Sequence, residues 1–119
     1  MQYKFDEYKL DNGIEGVTIH FQDSKFQILA DFLISDVNAF YEYIKGAFEK
    51  VILQGSDFQE FNGNVCGIEI GFDTTKVFDN LAEDGMGNWC EVDTKELYDL
   101  INNWHIEQTK FKKLHSNKS

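Results

Sequence analysis

The fold depends most on residues 26–52, FQILADFLISDVNAFYEYIKGAFEKVI, because the spacing of the apolar residues changes inside this stretch. Within residues 25–34 every second residue is apolar, which favours a half-buried strand. Beyond Ser35 and Asp36 the apolar residues recur at intervals of three or four, which predicts a helix with either residue as its N-cap. Gly55 follows at the position where helices often end in a left-handed residue.

Two further alternating segments precede this stretch. Residues 15–22 place apolar side chains at every second position, and residues 2–10 alternate in two short runs, Tyr3 with Phe5 and Tyr8 with Leu10. The segment Asp11-Asn12-Gly13 between them is a turn sequence. Together with residues 25–34, these segments predict a three-stranded antiparallel meander.

The second half of the chain repeats the order of strands followed by a helix. Alternation between turn sequences predicts strands at 58–61, 65–72 and 76–81. The hairpin sequence Asn62-Gly63-Asn64 separates the first two of them. The last helix has the clearest beginning, since Asp93 and Glu96 are spaced as a capping box.

The predicted fold class is α+β: a mostly antiparallel sheet of about five to six strands with two α-helices, in the order βββα-ββ(β)-α. The length of 119 residues fits one domain, which we place at residues 1–113. A basic tail at 114–119 follows, and we expect it to fray. Gly46 lies inside the predicted first helix, where glycine is unfavourable, so we expect a close packing contact there.

Acidic residues outnumber basic residues by twenty-one to eleven, and the formal charge is −10. All the basic residues are lysines, and residues 1–109 carry 21 acids and 7 lysines, a net charge of −14. A domain this acidic repels nucleic acid and anionic lipid and attracts basic surfaces. No apolar run has the length of a membrane span and no signal peptide is evident, so we expect a cytoplasmic protein. Cys66 and Cys90 are then expected to be reduced, structural thiols, and a reactive pair is the alternative.

No arrangement of residues in the sequence indicates catalysis, a metal ion or a cofactor. The three histidines, His20, His105 and His115, do not stand at metal-ligand spacing from one another or from a cysteine. The G-x-G sequence at 85–87 is flanked by two acids that would repel phosphate, and Ala82 occupies a ligand position of the matching calcium-loop pattern. We therefore expect no catalytic residue, no metal site, no cofactor and no enzymatic activity.

Acidic residues are concentrated around one loop and the beginning of the last helix. Among them lie Met86 and Trp89, and a large apolar side chain surrounded by charges is typical of a binding surface. The alternative is that Trp89 belongs to the core and the acids form a solvated face. The predicted partner-binding residues are Asp79, Glu83, Asp84, Met86, Trp89, Glu91, Asp93, Glu96 and Asp99.

Three segments of the second half carry a resemblance to a known family; they are VCGIEI at 65–70, GNWCEVDTKEL at 87–97 and LINNW at 100–104. With these segments, residues 64–104 resemble small immunity proteins of bacterial toxin systems, particularly those that protect against contact-dependent growth inhibition toxins. The resemblance implies a cytoplasmic inhibitor that binds one cognate toxin domain in a 1:1 complex, and neither nucleic acid nor membrane as partner. Many such toxins are nucleases with a basic cleft, which an acidic surface would block.

Two other classes of protein are compatible with the sequence. A small enzyme or ligand-binding domain would have a cleft lined by a few carboxylates with raised pKa values. An interaction domain without a toxin partner would lack a toxin gene directly before its own. The binding surface could also be the exposed side of the sheet, where the acids Glu15, Asp31, Glu60 and Glu69 could cluster.

Overall fold

The computed structural model describes residues 1–79 and 89–116, with side chains as far as residue 114. It confirms the α+β class, with six strands in two antiparallel sheets and two helical parts. The strands are β1 (Tyr3–Lys9), β2 (Glu15–Phe21), β3 (Phe58–Asn62), β4 (Cys66–Gly71), β5 (Thr74–Asp79) and β6 (Trp89–Asp93). The first two strands form a hairpin, and the other four form a sheet in the order β3-β4-β5-β6.

The first helical part begins much earlier than the sequence predicts. A 3₁₀ turn (Ser24–Phe26) leads into α1 (Gln27–Asp31), a π-helical stretch (Phe32–Val37) and α2 (Asn38–Ile52). The predicted strand at 25–34 is therefore wrong, and so is the three-stranded meander. The observed order is ββ-α-ββββ-α.

The reason for this error is that the segment is buried on two sides. The hairpin packs against α1 and against the last helix, and the four-stranded sheet packs on the other side of the same helices. Leu29, Phe32 and Leu33 are fully buried in this helical layer. A helix that is covered on two sides has apolar residues around most of its circumference, so the 3.6-residue period that identifies a surface helix is weakened.

Asp36 has a different role from the predicted helix cap. It lies inside the π-helical stretch with no exposed surface. Its carboxylate accepts hydrogen bonds from the backbone N–H groups of Asn64 (2.6 Å), Val65 (3.3 Å) and Cys66 (2.8 Å). Charge-assisted bonds of this kind are among the stronger ones in proteins, so this buried acid ties the first helical part to the β3–β4 turn.

The C-terminal end of α2 and the beginning of the last helix agree with the sequence. Gly55 has a φ of +74°, and the Ser56 N–H donates to the Lys50 carbonyl at 2.9 Å. The last helix, α3 (Thr94–Ser116), begins after Asp93, whose carboxylate accepts from the Glu96 N–H at 3.0 Å. These two predictions are confirmed because both depend on local hydrogen bonding rather than on packing.

Two details of the helices differ from the sequence-based expectations: the surroundings of Gly46 and the C-terminal end of α3. A Cβ added at Gly46 would meet no atom within 4 Å, so the expected close contact is absent and that expectation is wrong. The helix α3 continues to Ser116, into the segment that the sequence assigns to the tail, and residues 117–119 lie outside the described part. The domain boundary at residue 113 stays a prediction.

Strand β6 was not predicted, and it completes the larger sheet. It pairs with β5 from Thr74↔Asp93 to Phe78↔Trp89 and leads directly into α3. The Thr94 hydroxyl at this junction donates to the Gly71 carbonyl at 2.6 Å and lies 2.8 Å from the hydroxyl of Thr75. Across residues 1–79 and 89–116, the structure contains no helix that is both long enough and apolar enough to cross a membrane.

Candidate partner-binding surface

The four-stranded sheet has two faces, which strand alternation and register define. The inner face packs against the helices and carries Gln59, Phe61, Cys66, Ile68, Ile70, Thr75, Val77, Asp79, Cys90 and Val92. The outer face carries Phe58, Glu60, Asn62, Gly67, Glu69, Gly71, Thr74, Lys76, Phe78, Trp89, Glu91 and Asp93. Every described position of the outer face except Gly67 is exposed or only partly buried.

Large aromatic side chains stand on this open face. Trp89 is 57% exposed and Phe58 is 47% exposed, so the alternative that Trp89 belongs to the core is wrong. Phe78 pairs with Trp89 across β5 and β6 and lies over Gly67 on the neighbouring strand. A Cβ at Gly67 would come within 2.5 Å of the Phe78 ring, so only glycine leaves room for the ring to lie against β4.

Carboxylates surround these aromatic rings. Glu60 and Glu69 stand opposite each other on β3 and β4, and Glu91 stands opposite Lys76 on β6 and β5. Like charges directly opposite each other on a sheet destabilise it, so the Glu60–Glu69 pair is not explained by stability. The ammonium of Lys76 lies 5.0 Å from the centre of the Trp89 ring. The outer face therefore combines exposed aromatic surface with an excess of negative charge.

The predicted partner-binding residues are distributed over several places. Trp89, Glu91 and Asp93 lie on the outer face, and Asp93 also caps α3. Asp79 is at the end of β5 on the inner face, opposite Cys66. The exposed residues Glu96 and Asp99 belong to the first turns of α3, and Glu83, Asp84 and Met86 lie outside the described residues.

The predicted set missed most of the outer face, including its other aromatic and charged residues: Phe58, Glu60, Glu69, Lys76 and Phe78. Glu60 and Glu69 belonged to the alternative site on the exposed side of the sheet, and the structure brings these two together. The other two members of that alternative do not join them, since Glu15 is on β2 and Asp31 ends α1. Alternation along β3 and β4 was the signal that could have identified the shared face, but only the pairing register relates Glu69 to Glu91.

The two cysteine thiols do not lie on the outer face. Cys66 and Cys90 are buried on the inner face, and burial is the main cause that raises the pKa of the Cys66 thiol to about 12 and that of Cys90 to about 11. Both thiols are therefore protonated and unreactive near neutral pH. Within the described residues, no group of three or more His, Cys, Asp or Glu side chains is placed to hold a metal ion.

Four shallow surface cavities that the described residues line lie away from the outer face. One of about 350 Å³ is lined by residues at the open end of the hairpin, including Tyr3, His20 and Phe21. His20 there contacts the carboxylate of Asp6 at 3.2 Å, and both side chains are substantially exposed. This hollow does not bring several carboxylates together, which is the arrangement that an acid–base site would need.

Within residues 1–79 and 89–116, the outer face combines acidic residues with exposed aromatic side chains, a combination that is typical of protein interaction surfaces. The chain is 39% identical over 113 residues to a protein of Bacillus cereus named "Immunity protein", and the alignment covers 95% of this chain and 94% of that protein. The chain therefore belongs to the family of that immunity protein. No protein-family model matches the sequence, and no solved structure matches it.

Proposed function

We propose that this chain is an immunity protein that binds a cognate toxin domain in a 1:1 complex in the cytoplasm and neutralises it without any catalysis of its own. The toxin is of the contact-dependent growth inhibition type and acts as a nuclease with a basic active-site cleft. The acidic outer face blocks that cleft. Kinship with the Bacillus cereus immunity protein supports the general role, and the charge and the exposed aromatic rings of the outer face support the mechanism.

The observation that carries the proposal is the exposed Trp89 on a sheet face that also bears Glu60, Glu69 and Glu91. Binding surfaces are enriched in tryptophan anchors, while surrounding polar residues exclude water and set orientation. The carboxylates would occupy positions in the cleft where substrate phosphates bind. Trp89 would bury its exposed ring against the toxin.

The net charge supports rapid association. Residues 1–109 carry a net charge of −14, and a basic cleft would attract them over several ångströms of solvent. Association of complementary charged proteins reaches about 10⁸–10⁹ M⁻¹s⁻¹ at low salt, against about 10⁵–10⁶ M⁻¹s⁻¹ without steering. Rapid association would allow the immunity protein to bind the toxin soon after the toxin enters the cell.

The test uses the protein encoded directly before this chain in its genome, whose C-terminal domain we expect to be the toxin. Binding is measured by calorimetry and by association kinetics, and protection by growth of cells that express the toxin domain. We expect nanomolar binding. Absence of any binding or protection by the unaltered chain would refute the immunity role.

Reversing the charge of acids on the outer face, and of acids elsewhere, tests which surface binds the toxin. In the triple variant Glu60→Lys, Glu69→Lys and Glu91→Lys, we expect the affinity to fall at least about a hundredfold, since like charges across an interface cost several kcal/mol. The matched control reverses the same number of exposed acids on other elements: Glu7, Asp11 and Glu42. The control shares the change in net charge, so we expect it to slow association by about tenfold or less and to restore near-normal affinity at high salt.

A second arm tests the acids at the start of α3. We expect Glu96→Lys with Asp99→Lys to weaken binding less than the triple variant, because both side chains lie outside the outer face. If this pair abolishes binding and the triple variant does not, the binding surface is the helix start and the outer-face proposal fails.

A further inference from the structure

Lys76 is the one lysine that strand register places on the outer face. It is half-buried, and it stands directly opposite Glu69 on β4 and opposite Glu91 on β6. Side chains that oppose each other in this way have Cβ atoms about 4.5–5.5 Å apart. The register therefore places Lys76 between two acids in a row across three strands.

The aromatic rings of the same face flank this ammonium. The Lys76 Nζ atom lies 5.0 Å from the centre of the Trp89 ring and 5.9 Å from the centre of the Phe78 ring. Distances within about 6 Å of a ring centre allow a cation–π attraction, which is strongest for tryptophan. Two rings and two carboxylates thus form a setting for a cation, which we call the cation seat: Glu69, Phe78, Trp89 and Glu91.

The geometry of this seat points to an arginine side chain of the toxin as its occupant in the complex, with Lys76 as an internal occupant that the arginine displaces. This inference rests on the proposed function and names the group that the partner supplies. A guanidinium is planar, stacks on an indole and can bond a carboxylate through two parallel N–H groups. Trp89, which is 57% exposed, has free ring surface on which the guanidinium can lie.

The negative charge of the cation seat and the flexibility of the Lys76 side chain favour displacement of the Lys76 ammonium by an arginine. The flexible four-carbon stem of Lys76 allows the ammonium to swing into solvent without a change in the backbone. The cation seat is then left with two carboxylates and no cation from this chain. A cation supplied by the partner would balance their charge. A basic cleft that binds phosphate contains such side chains.

The first test measures toxin binding by Lys76→Gln, which keeps most of the stem and removes the charge. We expect affinity to rise about five- to thirtyfold, mainly through slower dissociation, because the arginine no longer competes with an internal cation. Lys95→Gln is the matched control, since Lys95 is exposed on the first turn of α3 next to the same sheet edge. The control makes the same change in net charge, and we expect it to alter only the salt-dependent association rate.

A double-mutant cycle identifies the seat. Trp89→Leu removes the indole, and we expect the gain from Lys76→Gln to disappear in that background. If Lys76→Gln weakens binding, then Lys76 itself contacts the toxin and the inference is wrong. If Lys76→Gln and Lys95→Gln behave alike at high salt, the effect is long-range charge alone and the inference is again wrong.

The second test needs no toxin and separates this inference from the proposed function. The tripeptide acetyl-Gly-Arg-Gly-amide is titrated into Lys76→Gln while the indole N–H resonance of Trp89 is followed by NMR, with acetyl-Gly-Gln-Gly-amide as the neutral probe. We expect a saturable shift with the arginine peptide alone, and none in Lys76→Gln combined with Glu69→Gln and Glu91→Gln. Identical shifts with both peptides would refute the cation seat, whereas a shift without toxin binding in any assay would refute only the immunity role.

Discussion

The two faces of the four-stranded sheet come from the same strands and have opposite character. The inner face is closed by the helices, and its central residues Ile68, Ile70 and Val77 have almost no exposed surface. The outer face carries Trp89, 57% exposed, among several carboxylates. One set of strands can therefore separate stability from recognition, because alternate residues of a strand point to opposite sides.

The two tryptophans give the sharpest comparison between the buried core and the outer face. Trp104 on α3 is fully buried, its indole N–H donates to the Asn38 side chain at 2.8 Å, and its ring lies 5.9 Å from Phe5. We expect Trp104→Ala to lower the free energy of unfolding by about 3–5 kcal/mol in urea denaturation. We expect Trp89→Ala to change it by about 0.5 kcal/mol or less, yet to weaken toxin binding at least tenfold. A large loss of stability in Trp89→Ala would break the comparison.

The next largest effect is expected for Asp36, which joins the first helical part to the β3–β4 turn. Its carboxylate accepts hydrogen bonds from three backbone N–H groups at the β3–β4 turn, so Asp36→Ala leaves the buried N–H of Cys66 and two partly buried N–H groups without this acceptor. We expect a loss of about 3 kcal/mol of unfolding free energy. Asp31→Ala, in the same helical part but exposed, is the control, and we expect it to cost about 0.5 kcal/mol or less.

The thiols test whether the inner face is closed to solvent. Because burial raises the pKa of Cys66 to about 12 and that of Cys90 to about 11, we expect native alkylation at pH 8 to be at least about a hundredfold slower than in urea. A cysteine placed on the outer face by Glu91→Cys should react at the rate of an exposed thiol. Fast labelling of both native thiols would show that the inner face opens readily.

The same pKa values predict how stability depends on pH. The unfolded thiols lose their protons near pH 9, whereas the folded thiols keep theirs until about pH 11 to 12. The unfolded state therefore binds fewer protons in this range, and stability falls as pH rises above 9. We expect the Cys66→Ala variant, although less stable at pH 7, to lose less stability between pH 9 and pH 11 than the unaltered chain does.

The smallest changes in stability are expected for two glycines that lie outside the four-stranded sheet. Since a Cβ at Gly46 would meet no atom within 4 Å, we expect Gly46→Ala to raise the unfolding free energy by about 0.5–1 kcal/mol. Gly55→Ala should instead lower it by about 1 kcal/mol, because Gly55 has a φ of +74°. Binding should be unchanged in both. A change in toxin affinity would mean that α2 contributes to the partner surface.

Much of the fold followed from local patterns, and the errors have a physical cause. The hairpin β1–β2, strands β3 to β5, the αL glycine at the end of α2 and the start of α3 at Asp93 were all anticipated, because each depends on alternation, turn residues or caps within a few positions. Residues 25–34 were misassigned because their burial on two sides weakened the helical period. Strand β6 was missed because its five residues lie against a helix start with the stronger signal.

The sequence by itself determined the acidic charge, the α+β class and the family resemblance, since charge is additive and strand and helix periods are local. Only the tertiary structure decided which acids share a surface, because Glu60, Glu69 and Glu91 come from three strands and meet through pairing register. It also decided that Asp36 is a buried anchor and that Trp89 is exposed. Whether a side chain is covered depends on distant elements, and no local pattern contains that information.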